Sequence, residues 1–234
     1  MLQAVLKRFA ELLHVRLQLG VFTTEDSVRY AFFYSFLEMT AMRPEDIVLE
    51  YPHPTIERAH IDMWVPGFSD GGLAAEFKYD RSIPSGTNTP RPQKAGKLLL
   101  DLYRLGRVQE RAFRVFVYCT DSEMATYLKK SSNGLADLFD LPVRRMLRID
   151  ARYLEGRCPT LVNAVPEAPN VVITSILRCH LPRAHELRVY QVRGMDAWDA
   201  NACWNAEDRT GRRMPIGASG SRSGCSTTAH ENLP

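Results

Sequence analysis

The sequence predicts an α/β (α+β) fold in which helices flank a mixed central sheet. Three observations predict it. The N-terminal region has helical periodicity, three short strand patterns then follow in close succession, and a second helical pattern leads into a strongly apolar strand. The order is helix, strand, strand, strand, helix, strand. The first three strands are near enough in sequence for an antiparallel meander, and the fourth requires a crossover through the helix.

The predicted elements begin with an amphipathic helix over residues 2–19. The stretch "TTEDSVRYAFFYSFLEM" (23–39) is a second helix, for which Thr23 is the expected cap with Asp26 as its reciprocal partner. "IVLEYPHP" (47–54) is a strand that ends at two prolines.

The remaining predicted elements start with a hairpin, followed by a Pro-, Ser- and Gly-rich loop. The hairpin spans 59–65 and 73–80, and the loop spans 82–92. After the loop we expect a helix over 93–108, a buried strand over 111–120, a helix over 121–131, a short helix over 134–141 and a further strand over 145–150.

Three regions are expected along the chain. Residues 1–157 form the core with its N-terminal helix, and residues 158–195 form a small β-rich extension with strands at 170–181 and 185–194. Residues 196–234 are rich in Gly, Ser, Arg and Thr and poor in aliphatic residues, so we expect them to be disordered.

Composition excludes several classes of protein but selects none. A net charge of +3 is too weak by itself to indicate a nucleic-acid partner. The five cysteines are odd in number and form no CxxC pair, which argues against a disulfide framework and a zinc site. No apolar run is long enough for a membrane span, and residues 1–20 interrupt their apolar residues with charges, unlike a signal peptide. We therefore expect a cytoplasmic protein.

The hairpin carries the chemistry. Side chains alternate across a strand, so Glu76, Lys78 and Asp80 share one face of "LAAEFKYD", and Asp62 lies on the polar face of "AHIDMWV". If Val65 pairs with Leu73 across the seven-residue turn "PGFSDGG", Asp62 falls opposite Glu76. Two facing carboxylates repel unless a cation lies between them, and Mg²⁺ prefers such oxygen ligands.

These residues resemble the PD-(D/E)XK nuclease superfamily, whose members share the restriction-endonuclease-like fold. The resemblance covers roughly residues 22–150 and consists of Asp62 followed by Glu76-x-Lys78, within the predicted element order. Ile61 stands where the signature has Pro. The resemblance implies that Asp62, Glu76 and the Phe77 backbone carbonyl bind Mg²⁺, and that Mn²⁺ substitutes for Mg²⁺. It also implies that Lys78 acts on the attacking water in phosphodiester hydrolysis.

Two further acids are candidate ligands. A turn centred near Ile56 sets Glu50 opposite Asp62, where it either contributes to the metal site or is a strand-end charge in solvent. Glu25 lies in the first helical turn, where superfamily members often bring an acid to the metal, although a favourable interaction with the helix dipole is the alternative.

Basic residues near the site are candidates for nucleic-acid binding. Lys94, Lys97, Asp101 and Arg104 share one face of the helix over 93–108, which suits a polyanion; the alternative is a solvated face with a Lys97–Asp101 pair. Arg81 follows the site strand and could contact a phosphate, although the sequence favours an ordinary surface role.

Two functions of different classes follow. The first is a Mg²⁺-dependent nuclease of restriction or repair type that hydrolyses DNA, with RNA left open as a substrate. The second is a non-catalytic module that retains the nuclease-like fold and binds nucleic acid or a protein. Residues 158–195 offer either a target-reading extension or a dimer surface, so a homodimer is a further alternative.

Overall fold

The computed structural model describes residues 1–82, 89–109 and 111–195. It is a mixed α/β fold in which helices cover both faces of a seven-stranded sheet. Most of the predicted loop and the whole C-terminal tail from residue 196 lie outside the described residues, so the expectation of disorder in the tail stays a prediction. None of the described helices combines the length and apolar character that crossing a bilayer requires.

The helices and strands follow the predicted order, with additional short helices at Ala151–Leu154 and Pro159–Val162. The main helices are α1 (Leu2–Gln18), α2 (Glu25–Met39), α3 (Arg91–Gly106) and α4 (Ser122–Lys129), and three four-residue helices follow as α5 (Ala136–Phe139), α6 (Ala151–Leu154) and α7 (Pro159–Val162). The strands are β1 (Val48–Pro52), β2 (His60–Val65), β3 (Leu73–Asp80), β4 (Phe113–Thr120), β5 (Met146–Ile149), β6 (Val171–Leu181) and β7 (His185–Gly194).

The order of the strands in space differs from the expectation. The sheet runs β1-β2-β3-β4-β7-β6-β5. β1, β2 and β3 form the predicted antiparallel meander, and β4 joins β3 in parallel through α3. The two strands expected within residues 158–195 are present, but they do not form a separate extension, because β7 pairs directly with β4 along its length.

The cap of α2 also differs from the prediction. Thr24 is the N-cap, and Ser27 is its reciprocal partner. Thr23 instead is buried and accepts a hydrogen bond from Arg16 Nε at 3.1 Å. The shift of one residue arises because both threonines offer the same hydroxyl, and tertiary packing selects between them.

Each face of the sheet has its own apolar core. On one face, α1 and α2 bury Phe9, Phe32 and Phe36 against strand residues such as Phe77. On the other face, α3 packs its leucines against Phe116 and Tyr118. The two cores hold β3 between α2 and α3, so the end of this strand lies within reach of side chains from both helices.

Candidate functional site

The register of the hairpin is as predicted. Val65 pairs with Leu73, Trp64 with Ala74 and Met63 with Ala75. The paired segment ends there, and the Phe77 amide donates to Asp62 Oδ2 at 2.7 Å instead of to the neighbouring backbone. Backbone pairing therefore stops one residue short of Asp62 and Glu76, where the Asp62 side chain accepts the Phe77 amide.

Asp62 and Glu76 lie close enough for each to influence the other's protonation. Burial raises the pKa of Glu76 well above its ordinary value, and repulsion from Asp62 and Asp101 raises it further. Burial likewise raises the pKa of Asp62, against the opposing effects of the Phe77 amide and the Arg29 guanidinium. The two carboxyl groups thus lie side by side, and a side-chain hydrogen bond between them also raises the pKa of Glu76 and opposes the rise in the pKa of Asp62.

Glu76 is the more deeply buried member of the pair. Its exposed fraction is 4%, and Oε1 has no hydrogen-bond partner among the residues the structure describes. A buried carboxylate oxygen without a partner is costly, so the site is built for a proton or a cation that the protein side chains do not supply.

The Lys78 ammonium lies between a carboxylate of α2 and a carboxylate of α3. Its Nζ lies 3.0 Å from Glu25 Oε2 and 3.9 Å from Asp101 Oδ2. Burial would lower the pKa of Lys78, but the carboxylates of Asp101 and Glu25 outweigh it, so that the pKa is raised. Lys78 is therefore an ammonium at neutral pH, which suits it to donate hydrogen bonds and not to accept a proton.

Asp101 is the site residue whose position the sequence reasoning missed. It is buried on α3, and its Oδ2 lacks a hydrogen-bond partner in the described part of the chain. Burial raises its pKa to about 7, although Lys78 and Arg104 favour the ionised form. A signal was available, because Asp101 stands within "LLLDLY", on the apolar face of its helix.

The sequence reasoning also missed Arg29, which lies beside two of the predicted metal ligands. Its guanidinium forms an ion pair with Glu50 and lies 3.5 Å from Asp62 Oδ1. The register places Glu50 at the position facing Asp62, as predicted, but with a φ of 52° in the left-handed region. Arg29 thus supplies a positive charge beside Asp62 from within the protein. Its position, one helical turn after Glu25, was a readable signal.

The two candidate additional ligands have other partners. Glu50 is paired with Arg29. Glu25 Oε2 accepts from the Tyr79 amide at 3.0 Å as well as pairing with Lys78. Both acids therefore border the carboxylate pair, and their assignment as metal ligands remains a prediction.

No group of three or more His, Cys, Asp and Glu side chains within the described ranges is arranged to hold a metal ion. The donor set around Glu76 is nevertheless suited to Mg²⁺, which binds through one or two carboxylates and retains several waters. Glu76 has an unpartnered oxygen, and Asp62 keeps lone pairs beyond those used by Phe77 and Arg29. The Phe77 carbonyl follows Glu76 directly on β3, and its role as a ligand stays a prediction.

The predicted nucleic-acid-binding residues divide into two groups. Arg104 lies at the site, 3.6 Å from Asp101 Oδ1, and Lys97 is exposed on α3 without an ion-pair partner among described residues. The alternative Lys97–Asp101 pair does not form, because Asp101 is turned towards Lys78 and Arg104. Lys94 Nζ donates to the Arg81 carbonyl at 2.9 Å, and Arg81 packs over the Phe22 ring.

No protein-family model, curated protein or solved structure matches this chain.

Proposed function

We propose that the chain is a Mg²⁺-dependent nuclease of the PD-(D/E)XK type, with a restriction-endonuclease-like core, that hydrolyses phosphodiester bonds of DNA. The observation that carries the proposal is the buried, mutually repelling pair of Asp62 and Glu76, with an unpartnered oxygen on Glu76. Such a pair costs stability in the absence of a cation, because burial and repulsion oblige one member to hold a proton.

Asp62 and Glu76 would hold the ion, with the Phe77 carbonyl as the neighbouring backbone donor. A bound Mg²⁺ supplies charge stabilisation at the phosphate and lowers the pKa of a coordinated water. Mn²⁺ has similar coordination preferences and should substitute.

Lys78 would orient the attacking water and stabilise negative charge on the phosphate. Its raised pKa keeps it protonated, so it acts as a hydrogen-bond donor and not as the general base. Asp101 and Glu25 hold the ammonium between α3 and α2, which fixes its direction relative to Glu76. Asp101 is thus a positioning residue for Lys78.

The basic residues near the site suit a polyanionic substrate. Arg104 at the site and the exposed Lys97 lie along α3, where each phosphate contact would add salt-dependent affinity. DNA is the proposed substrate, RNA is the alternative, and a homodimer would extend the binding surface.

One observation favours the alternative function, a non-catalytic binding module. Arg29 already supplies a cation to Asp62 and Glu50, as expected if the acids were retained for structure. Glu76 argues against this alternative, because the ion pairs of Arg29 are with Asp26, Glu50 and Asp62, and Glu76 Oε1 is left without a hydrogen-bond partner among the described residues.

The test is cleavage of supercoiled plasmid, single-stranded DNA and RNA with Mg²⁺, with Mn²⁺ and with EDTA. We expect metal-dependent cleavage that falls by at least about 100-fold in Glu76→Gln and in Lys78→Met, since a positioned catalytic group contributes about 10²–10⁴-fold. Glu57→Gln is the matched control, because Glu57 is 87% exposed at the side chain. Absence of metal-dependent cleavage of all three substrates by folded protein would refute the nuclease proposal.

A further inference from the structure

A concave site lies at the end of β3, the strand that carries Glu76 and Lys78. It is a cavity of about 270 Å³ where the α1–α2 connection, the end of β3 and the β6–β7 turn meet. We call it the arginine pocket and define it by Phe22, Tyr79, Arg81, Asp121, Arg183 and His185.

The arginine pocket is basic. Neither the Arg81 nor the Arg183 guanidinium forms an ion pair with an acidic side chain of the described chain. The one acid in the set is Asp121, and amides occupy both of its oxygens: Met124 donates to Oδ1 at 3.0 Å and Ser82 to Oδ2 at 2.6 Å. Two guanidinium groups therefore remain available to an anion in the pocket.

The walls of the pocket are fixed by local contacts. The hydroxyl of Tyr79 lies 2.9 Å from His185 Nε2, and the two rings stack. The Nδ1 atom of His185 lies 3.0 Å from the Arg183 carbonyl, which can only accept, so Nδ1 carries a proton. In the neutral ring, Nε2 then accepts from Tyr79.

The position of the Arg183 side chain depends on the conformation of its turn and on the space beside Gly20. Arg183 and Ala184 both have left-handed φ values, 58° and 55°, at a turn where such conformations favour Gly or Asn. The guanidinium packs directly on Gly20, where an added Cβ would lie 2.2 Å from Arg183 Nη2. The absence of a side chain at Gly20 thus leaves room for the guanidinium at the pocket wall.

Arg81 is oriented by an aromatic ring. Its guanidinium lies 4.1 Å from the centroid of Phe22, which is 67% exposed. Stacking on an exposed ring leaves the edge of the guanidinium free for an oxyanion, and it leaves the other face of Phe22 free for a planar group.

The pocket and the candidate active site are connected through the end of β3, although the side chains of Tyr79 and Lys78 point to opposite faces of the sheet. Tyr79 follows Lys78, and the Tyr79 amide donates to the same Glu25 oxygen that pairs with the Lys78 ammonium. A nucleic-acid strand would have to cross the end of β3 to reach both the pocket and the carboxylate pair.

We propose that the arginine pocket binds a phosphate monoester, and that its ligand is the terminal phosphate of the nucleic-acid strand. This assignment of the strand rests on the proposed function. A terminal phosphate carries about −1.5 to −2 charges at neutral pH, which matches two guanidinium groups. The pocket is small beside the roughly 300–1,000 Å³ of typical ligand sites, so it suits a phosphate with its sugar better than a whole oligonucleotide.

The first experiment measures phosphate binding without cleavage. Inorganic phosphate and a deoxynucleoside 5′-monophosphate are titrated calorimetrically into the protein in EDTA. We expect binding that weakens by at least about tenfold in Arg81→Gln and in Arg183→Gln, since each removes charge-assisted hydrogen bonds. Arg43→Gln is the matched control, because Arg43 is 77% exposed at the side chain. Lack of binding by the wild type, or equal binding by all variants, would overturn the proposal.

The second experiment identifies the source of the phosphate. Oligonucleotides with a 5′-phosphate, a 3′-phosphate or no phosphate are compared by fluorescence anisotropy in Ca²⁺. Tighter binding of one phosphorylated end, lost in Arg183→Gln and competed by free phosphate on the wild-type protein, supports the strand-end assignment. Equal binding of all three oligonucleotides would overturn that assignment.

The two proposals can fail separately. Glu76→Gln should lose cleavage and keep phosphate binding, because Glu76 does not line the pocket. If no nucleic acid is cleaved but Arg183→Gln still loses phosphate binding, the pocket stands as a phosphate site and the nuclease proposal alone is refuted.

Discussion

At the scale of the residue, the site is defined by a carboxylate that the protein does not neutralise. Glu76 is 4% exposed, and its neighbours raise its pKa by repulsion in addition to burial. Most buried charges are paired, because an unpaired one is expensive. Glu76 therefore costs stability in the metal-free protein, and under the proposed function a divalent ion would offset that cost.

Replacing Glu76 by Gln should leave the fold intact and stabilise the metal-free protein. Ionised Glu76 repels Asp62 and Asp101, so the folded protein must either bear that repulsion or hold a proton on Glu76; Gln removes both costs while keeping the shape of the side chain. We expect a gain of about 1–3 kcal/mol in the free energy of unfolding, comparable to the cost of an unsatisfied buried polar group. Thermal and urea melts in EDTA measure it, and a large loss in both Glu76→Gln and Asp62→Asn would show that the acids are structural.

The same carboxylates should make the metal-free protein less stable as the pH rises. The pKa values of Asp62, Glu76 and Asp101 are raised in the folded state, that of Asp101 to about 7. The folded protein then keeps protons that the unfolded chain releases above about pH 4. The stabilisation is full below that pH and is lost as the pH rises through the folded pKa, with a slope of up to about 1.4 kcal/mol per pH unit per proton.

Melts in EDTA between pH 5 and pH 8 test this dependence. The slope should be smaller in Glu76→Gln and in Asp101→Asn than in the wild type. A wild-type stability that rises with pH over this range would contradict the electrostatic description of the site.

The sequence was sufficient to predict that Asp62 faces Glu76, but not to predict which residues surround them. The hairpin register could be predicted because alternation and turn length fix which residues of β2 and β3 face each other. Asp101 and Arg29 could not be placed in the same way, because their distance from β3 depends on how α3 and α2 pack on the sheet. Helical periodicity identifies the faces of a helix, and it does not state which strand residue each face meets.

At the scale of the element, α2 brings both an acid and a base to the site. Its N-cap at Thr24 fixes the first turn, from which Glu25 reaches Lys78 and Tyr79, and Arg29 follows one turn later. The ion pairs of Arg29 with Glu50 and Asp62 place an internal cation beside the predicted metal ligands. The helix thus controls how much negative charge the site presents.

Replacing Arg29 by Gln should have opposite effects on stability and on metal affinity. Asp62 and Glu50 lose their cation, so the metal-free protein should lose about 1–3 kcal/mol. The freed carboxylates should bind Mn²⁺ several-fold more tightly than in the wild type. Melts in EDTA and calorimetric titration with Mn²⁺ measure the two effects, with Arg43→Gln as control. Weaker Mn²⁺ binding in Arg29→Gln would show that Arg29 does not compete with the ion.

At the scale of the whole molecule, the sheet is a single unit that extends beyond the predicted core. β7 lies between β4 and β6, and its residues Leu187, Val189 and Tyr190 are fully buried. The sequence showed that 170–181 and 185–194 were strands, but not which edge they joined, because the pairing of β4 with β7 links segments about 70 residues apart. Long-range pairing of this kind leaves no local signal in a single sequence.

Truncation should reveal this dependence. A chain of residues 1–157 lacks β6 and β7 and exposes the apolar edge of β4, so we expect it to be insoluble or unfolded. A chain of residues 1–195 retains every described strand and should melt cooperatively. Circular dichroism and size-exclusion chromatography distinguish the two outcomes, and a folded, monomeric 1–157 fragment would contradict the single-sheet description.

The most direct measurement of the central claim is calorimetric titration of Mn²⁺ into the protein without substrate. Because Asp62 and Glu76 are taken to seat one divalent ion, the wild type should show a site that is lost in Asp62→Asn and in Glu76→Gln and retained in Glu57→Gln. Equal Mn²⁺ binding by all four proteins, or none by the wild type, would contradict the claim that these two acids form a metal site.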